Sequence, residues 1–240
     1  MSATTSDQTR SLSFPGESED YRRARNELLE AEVALRRQEQ SVAELRRGLP
    51  LGGRVPMDYA FEEWDDKQSA ARTTTLSDLF AEDRDTLFLY SFMFNPDASG
   101  RPLQIACPMC TSMIDGLDGE LPHIAENVSF AVVTKAPVER FKAHAHTRGW
   151  RHVRLLSSAG TSYNRDYHAE TSDADQRPMA TVMVRRDGVI HHFWSSEMLA
   201  APLDPGQGPR HVDFMWPLWA IIDRTPSGRR SDWGPQLAYS

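Results

Sequence analysis

Hydrophobic and polar positions along this chain form blocks that predict strands and helices in alternation. An unbroken apolar and aromatic run covers residues 86–94, and a second run covers residues 128–134. Runs of this length are typical of strands that are buried on both faces of a sheet. Residues 181–185 and 189–194 flank an Asp-Gly pair, which is the composition of a tight hairpin turn between antiparallel strands.

Shorter patterns predict the rest of the sheet and its helices. A helix is expected from Pro137, which suits a first helical position, to the residue before Gly149, which ends it. An earlier helix is expected to break near Gly116 and to restart at Pro122. Strands that alternate with helices and close with an antiparallel hairpin predict a mixed α/β sheet. The other predicted elements are an edge strand at 58–62, a capped helical turn at 75–80, a strand at 152–156 and a covering helix within 212–222.

Residues 20–47 carry the periodicity of a long amphipathic helix. Their apolar side chains recur at spacings of three and four, so they form one stripe along the helix. The stripe packs either against the protein's own main domain or against a second copy, as a homodimeric coiled coil of about three and a half heptads. The stripe consists of Tyr21, Ala24, Leu28, Ala31, Leu35, Val42 and Leu45, with Gln38 as an interruption.

Composition divides the chain into three parts. Residues 1–18 mix Ser, Thr, Gln and Gly with few apolar groups, so we expect them to be disordered. Residues 19–50 form the N-terminal helical extension, which ends in a Gly- and Pro-rich segment. Residues 51–240 are long enough for one α/β domain, and their last forty residues form a C-terminal extension rich in Pro, Trp and Gly.

Charge and targeting signals narrow the possible partners. The net charge is −7 and no basic run is present, so we expect no nucleic-acid partner. The polar N-terminus lacks the apolar core of a signal peptide, and no segment is long and apolar enough to cross a membrane. The chain has two cysteines and therefore no framework of structural disulfides. We expect a cytoplasmic protein whose dithiol is normally reduced.

The two cysteines, Cys107 and Cys110, enclose Pro108 and Met109 between the first apolar run and a predicted helix. Strand, loop, Cys-x-x-Cys and helix is the order of a thioredoxin-like redox site. A cysteine at a helix N-terminus faces unpaired backbone N–H groups and the positive end of the helix dipole, and both favour the thiolate. We expect Cys107 to be the exposed nucleophile with a lowered pKa and Cys110 to be its more buried partner.

A metal site is the other common use of a Cys-x-x-Cys pair. Zinc needs four ligands, and the chain has no second cysteine pair, so histidines would have to complete the site. His144 and His146 point apart on a helix, and His191 and His192 face opposite sides of a strand. His123 is the remaining candidate ligand, and it cannot complete a four-ligand site with the two cysteines alone. The pattern therefore favours a redox site without metal or other cofactor.

The run from Tyr59 to Trp233 resembles a bacterial thioredoxin-like family of unknown function, whose members are described as predicted dithiol-disulfide oxidoreductases. The resemblance implies a thioredoxin-like fold in a peroxiredoxin-like variant, and thiol–disulfide exchange through the two cysteines. The implied partner is a disulfide-containing protein or a small thiol compound. The motifs that carry it are residues 87–94, Cys107-Pro108-Met109-Cys110-Thr111, Asp115-Gly116, Gly149-Trp150, residues 156–158, residues 163–167 and residues 185–188.

The chain departs from thioredoxins at the substrate-binding strand. Thioredoxins begin this strand with a cis-proline beside the disulfide, and the matching position here is Ala180, with Pro178 two residues earlier. A cis peptide bond before a residue other than proline is costly, so we expect the bond at Ala180 to be trans. The candidate substrate-binding residues are then Pro108, Met109 and Ala180.

Two other functions remain open. A thiol peroxidase is the nearest enzymatic alternative, but Gly100 and Gln104 occupy the places where peroxiredoxins carry a Pro and a Thr or Ser. A non-enzymatic interaction or metal-binding module would keep the fold and use the N-terminal helix to bind a partner. Within the redox hypothesis, Asp115 and Asp118 are either a proton acceptor for Cys110 or solvated helix charges.

Overall fold

The structure is a computed structural model that describes residues 12–239. The chain divides into two compact units, and the boundary lies between Pro50 and Leu51. Residues 1–11, most of the segment expected to be disordered, lie outside the described residues. In residues 12–239 no helix combines the length and the apolar character that a membrane span requires.

The first unit contains one long helix, α1, which spans Glu19–Arg47. Ser18 caps it, because its hydroxyl accepts the backbone N–H of Tyr21 at 3.1 Å. No residue of α1 is buried. The stripe that the periodicity predicts is exposed, with Leu28 at 51% and Leu35 at 59% of full exposure.

The second unit is built on a seven-stranded sheet in the order β2-β1-β7-β6-β3-β8-β9, with β4 and β5 as a separate two-stranded ribbon. Five helices accompany these strands among the described residues after Leu51. The strands are β1 Ala60–Asp65, β2 Ala70–Thr75, β3 Thr86–Phe92, β4 Phe94–Asn95, β5 Ile105–Ala106, β6 Ser129–Thr134, β7 Leu155–Ser157, β8 Met179–Arg186 and β9 Val189–Ser195. The helices are α2 Pro108–Leu117, α3 Leu121–Ala125, α4 Val138–Arg148, α5 Tyr163–Asp166 and α6 Pro217–Ile222.

The strand directions identify the fold. β3 pairs in parallel with β6 and antiparallel with β8, and β6 continues in parallel to β7. The β8–β9 hairpin closes one edge, and the antiparallel β1–β2 hairpin covers the other edge beside β7. This is the thioredoxin-like arrangement with the additional N-terminal hairpin of peroxiredoxins, so the α/β fold class predicted from the sequence is confirmed.

Strand β3 contributes to two separate cores, one on each face of the sheet. Leu87 and Leu89 pack into the core that includes residues of the β1 region and of α5. Tyr90 and Phe92 pack into the other core, together with α2, α4 and part of the C-terminal extension. This alternation follows from the period of two along a strand, and it explains why a run that is apolar on both faces, with Ser91 as a buried exception, forms β3.

Several predicted elements differ from the structure in position. The strand expected at 58–62 is β1, which lies second from the edge, and the edge strand β2 escaped prediction because it is polar and mostly exposed. The strand expected at 152–156 begins only at Leu155. The helix expected within 212–222 is interrupted, since a 3₁₀ turn at Asp213–Met215 precedes Pro217, the first residue of α6.

We predict that the apolar stripe of α1 is buried in solution, because a lone helix of this kind is marginal in water. Replacing both Leu28 and Leu35 by Asp should lower the melting temperature or dissociate a homodimer, as measured by calorimetry and sedimentation velocity. Ser41→Asp, an exposed change outside the stripe, serves as the control. Unchanged melting and sedimentation in the double variant would show that the stripe stays in water.

Candidate redox site

The site begins where β3 ends. The backbone N–H of Cys107 donates to the carbonyl of Met93 at 3.0 Å, which ties the motif to the residue that directly follows the central strand. Beyond Met93, β4 and β5 pair with each other and close the intervening loop at its base. The side chain of Gln176 bonds to both backbone groups of Phe94, so it takes the place of a neighbouring strand. These contacts fix where helix α2 starts.

Cys107 is the N-cap of α2, as the motif predicts. Its sulfur accepts the backbone N–H of Cys110 at 3.4 Å, and its carbonyl accepts the N–H of Thr111 at 2.9 Å. Pro108 is the first helical residue, where its missing N–H leaves nothing unsatisfied. The geometry therefore places the Cys107 sulfur at the positive end of the helix dipole.

Both cysteines are free thiols, and both are buried. Cys107 retains 4% of its full exposure and Cys110 retains 2%. The expectation that Cys107 is exposed was therefore wrong. Cys107 lies in the same apolar cluster as Phe94 and Trp216, which come from the strand region and from the C-terminal extension.

The two thiols nevertheless differ strongly in acidity. The hydrogen bond from the Cys110 thiol, with further backbone N–H donors of α2, lowers the pKa of Cys107 from 9.0 to about 7. Burial, and the competing charge of the Cys107 thiolate, raise the pKa of Cys110 well above its ordinary value. Cys107 is therefore the more acidic thiol, as predicted. The hydrogen bond from the Cys110 thiol lowers its pKa more than either of the backbone N–H groups at the helix N-terminus does.

Tyr90 is a site residue that the sequence analysis missed. It lies on β3, fully buried, and its hydroxyl donates to the Cys110 sulfur at 3.2 Å. Burial raises the pKa of this phenol well above its usual range, so the hydroxyl remains a hydrogen-bond donor. A polar aromatic residue inside an otherwise apolar strand was the available signal, since a buried tyrosine hydroxyl usually has a partner.

Asp115 and Asp118 both connect the C-terminal end of α2 to the segment that follows α4. The carboxylate of Asp115 pairs with Arg148 and accepts the indole N–H of Trp150 at 2.8 Å. Asp118 is buried and accepts three successive backbone N–H groups, those of residues 151–153, at 2.9–3.1 Å. The interpretation as a solvated charge was wrong for the buried Asp118, whereas Asp115 is exposed and is held by its ion pair with Arg148.

A cavity of about 620 Å³ opens beside Cys110. Cys110 and Tyr90 form part of its wall, and Cys107 is not among its lining residues. The C-terminal extension supplies most of the remaining wall, including Trp216, whose indole N–H donates to Ser112 of α2 at 3.2 Å. The apolar side chains that line it include Met93, Met109, Leu199, Val212, Trp216 and Trp219.

The predicted substrate-binding residues lie in different environments. Met109 is exposed and lines the cavity, and Pro108 is half-buried. Ala180 is fully buried in β8, opposite Tyr90, so it offers no surface to a substrate and its proposed role needs correction. Its peptide bond is trans, as predicted, because no bond in the described residues is cis. Pro178, two residues earlier, does line the cavity.

Two of the histidines named as metal candidates, His144 and His192, have other partners. His144 bonds to the Thr111 hydroxyl at 3.0 Å, and burial lowers its pKa to about 4. His192 bonds to Ser195 at 2.9 Å. Within residues 12–239 no three His, Cys, Asp or Glu side chains are grouped as a metal ion requires.

Comparison with known proteins gives a family and a set of similar structures. The family model described as "Bacterial protein of unknown function (DUF899)" matches residues 13–239. No curated protein matches the chain.

Similar solved structures include several peroxiredoxins. The reduced 2-Cys peroxiredoxin of Plasmodium vivax is 16% identical, with a TM-score of 0.43 over 58% of this chain and 81% of that one. The mitochondrial 2-Cys peroxiredoxin of Plasmodium falciparum is 11% identical, with a TM-score of 0.45 over 76% and 99%. Peroxidoxin BcpB of Mycobacterium tuberculosis is 18% identical, with a TM-score of 0.42 over 70% and 94%. The thioredoxin-like fold follows from the strand order described above.

We predict that Cys107 reacts as a thiolate at neutral pH. Its alkylation rate by iodoacetamide should be half-maximal near pH 7, since its pKa is lowered to about 7. Below this pH the rate should fall about tenfold per pH unit, because the thiol form is unreactive. The urea-unfolded protein is the control, with a midpoint near an ordinary thiol pKa of about 8.5. A folded-state midpoint at that value would contradict the geometry.

We also predict that Asp118 stabilises the fold. Asp118→Ala should lower the free energy of unfolding by about 2–4 kcal/mol, because three backbone N–H groups lose a charged acceptor. Glu120→Ala removes an exposed carboxylate from the same turn and should change it by less than about 0.5 kcal/mol. Urea denaturation measures both. Equal effects of the two substitutions would show that the Asp118 contacts are unimportant.

Proposed function

The chain belongs to the bacterial DUF899 family, and from this premise we propose that it is a dithiol–disulfide oxidoreductase that works through Cys107 and Cys110. One observation carries the proposal. Two thiols one helical turn apart have opposite pKa shifts, which gives a thiolate near neutral pH beside a protonated partner. This is the division of labour that thiol–disulfide exchange requires.

In the first step the Cys107 thiolate attacks one sulfur of a substrate disulfide. A bond forms between Cys107 and that sulfur, the substrate S–S bond breaks, and its electron pair leaves on the other substrate sulfur, which takes up a proton. The lowered pKa of Cys107 matters here because only the thiolate attacks.

In the second step Cys110 loses its proton and attacks the Cys107 sulfur. The mixed disulfide breaks, the second substrate thiol leaves, and a Cys107–Cys110 disulfide remains. The Tyr90 hydroxyl stabilises the Cys110 thiolate in this step, since it already donates to that sulfur. The substrate gains two electrons from the enzyme and two protons, one of them matched by the proton that Cys110 loses and the other taken from solvent.

A peroxidase is less well supported. The Pro and the Thr or Ser that peroxiredoxins carry before the reactive cysteine are replaced here by Gly100 and Gln104. Gly100 lies in a tight turn with a φ of 79°, and the Gln104 amide donates to the carbonyl of Pro102 within its own loop. Neither residue supplies a side-chain hydroxyl that could donate a hydrogen bond to a peroxide beside the thiolate.

Serine variants test the proposed mechanism. Cys107→Ser should abolish reduction of a model disulfide such as 5,5′-dithiobis(2-nitrobenzoate), because the nucleophile is lost. Cys110→Ser should leave a stable covalent adduct on Cys107, visible by mass spectrometry, because the resolving thiol is lost. Melting curves of both variants control for folding. Wild-type turnover in both variants, or an adduct on Cys110 of the wild type during the first step, would refute the mechanism.

A further inference from the structure

The cavity beside Cys110 has no role in the steps above, and it reaches a different sulfur from the one that attacks substrate. We propose that it binds a small apolar dithiol, which returns the oxidised site to the dithiol form by attacking Cys110. This inference rests on the proposed function, since it concerns the disulfide that the proposed reaction forms. It assigns the two half-reactions to two different sulfurs of one motif.

The cavity has the size and the lining of a site for a small organic molecule. Its volume of about 620 Å³ falls within the range of ligand pockets, and thioether, aliphatic and indole groups dominate its wall. The C-terminal extension forms part of the cover over α2, so Cys110 is reached through the cavity and not across a flat surface. The fitting reductant is therefore a small molecule with an apolar body.

Most of the charged side chains in the wall are paired, and Arg210 is a further cation there. Arg229 contacts Asp213 at 2.7 Å and Asp223 at 2.6 Å, and its guanidinium lies 4.8 Å from the ring centre of Trp219. Arg230 pairs with Asp232 at 2.8 Å. These pairs also brace the extension that forms the wall.

The chemistry of exchange suits attack on Cys110. A thiolate of the bound dithiol forms a bond to the Cys110 sulfur, the Cys107–Cys110 bond breaks, and the electron pair leaves on Cys107. Exchange is faster when the departing sulfur belongs to the more acidic thiol, and Cys107 is that thiol. Its thiolate is also held by the N-terminus of α2.

The second half of the exchange uses the other thiol of the same reductant. That thiolate attacks its own sulfur in the mixed disulfide, which closes a cyclic disulfide and releases Cys110 as a thiolate. Cys110 then takes up a proton, and Tyr90 stabilises the thiolate until it does. The dithiol has lost two electrons and two protons. The protein has gained both electrons and one proton, and the other proton goes to solvent because Cys107 remains a thiolate.

Mapping the first adduct tests which sulfur is attacked. The oxidised protein is mixed with 8-mercaptooctanamide, a single-thiol analogue of dihydrolipoamide, and quenched with N-ethylmaleimide. Tandem mass spectrometry should place the mercaptooctanamide on Cys110 and the maleimide on Cys107. The reverse placement would overturn this inference while leaving the proposed function intact.

Filling the cavity tests where the reductant binds. Leu199→Trp narrows the wall and should slow reduction by dihydrolipoamide about tenfold, the effect of losing about 1.4 kcal/mol of binding. Leu203→Trp adds the same side chain at an exposed site outside the cavity and should leave the rate unchanged. Gly208→Phe is a second cavity variant, since a Cβ there meets no atom within 4 Å.

The outcomes separate this inference from the proposed function. Equal rates in the cavity variants and the Leu203 control, with normal melting curves, would overturn the cavity as the binding site. Faster reduction by reduced thioredoxin than by dihydrolipoamide at equal thiolate concentration would overturn a small-molecule reductant. A protein that forms no Cys107–Cys110 disulfide under any oxidant would overturn the proposed function, and this inference with it.

Discussion

Burial of β3 on both of its faces is the constraint on which the second unit depends. β6 and β8 lie on either side of it, so the strand has no exposed edge. Its side chains pack into one core on each face of the sheet. A strand in this position must be largely apolar, and a polar group buried in it is expected to have a hydrogen-bond partner. Tyr90 is such a group, and its partner is the Cys110 sulfur. The central strand therefore supplies both the scaffold and one of the groups at the site.

Much of this fold could be predicted because its strongest signals are local. The two apolar runs, the Asp-Gly hairpin and the Pro137–Gly149 helix depend on neighbouring residues, and all are present in the structure. Strand β2 has no such signal, because its Ala, Arg and Thr residues are mostly exposed and show no alternation of apolar and polar side chains. The late start of β7 depends on Asp118, more than thirty residues earlier, which binds the backbone of residues 151–153. No local pattern contains that contact.

The site was predictable in its reactive atoms and unpredictable in its surroundings. Spacing and a helix start identify Cys107 and Cys110 and the order of their acidities. The exposure of Cys107 was misjudged because its cover comes in part from residues more than one hundred positions later, such as Trp216. Ala180 was wrongly expected to contact a substrate, because counting residues along a strand gives the position of a residue but not its burial. Tertiary packing decides depth, and it is set by the whole chain.

The anchoring of α2 determines what oxidation does to the shape of the molecule. Asp115 and Asp118 fasten its C-terminal end to Arg148 and to the start of β7, and Cys107 fastens its N-terminal end to Met93. Both cysteines lie within one turn of this helix, so a disulfide closes without unwinding it. In the proposed reaction, the change between the dithiol and the disulfide therefore stays within the first turn of α2.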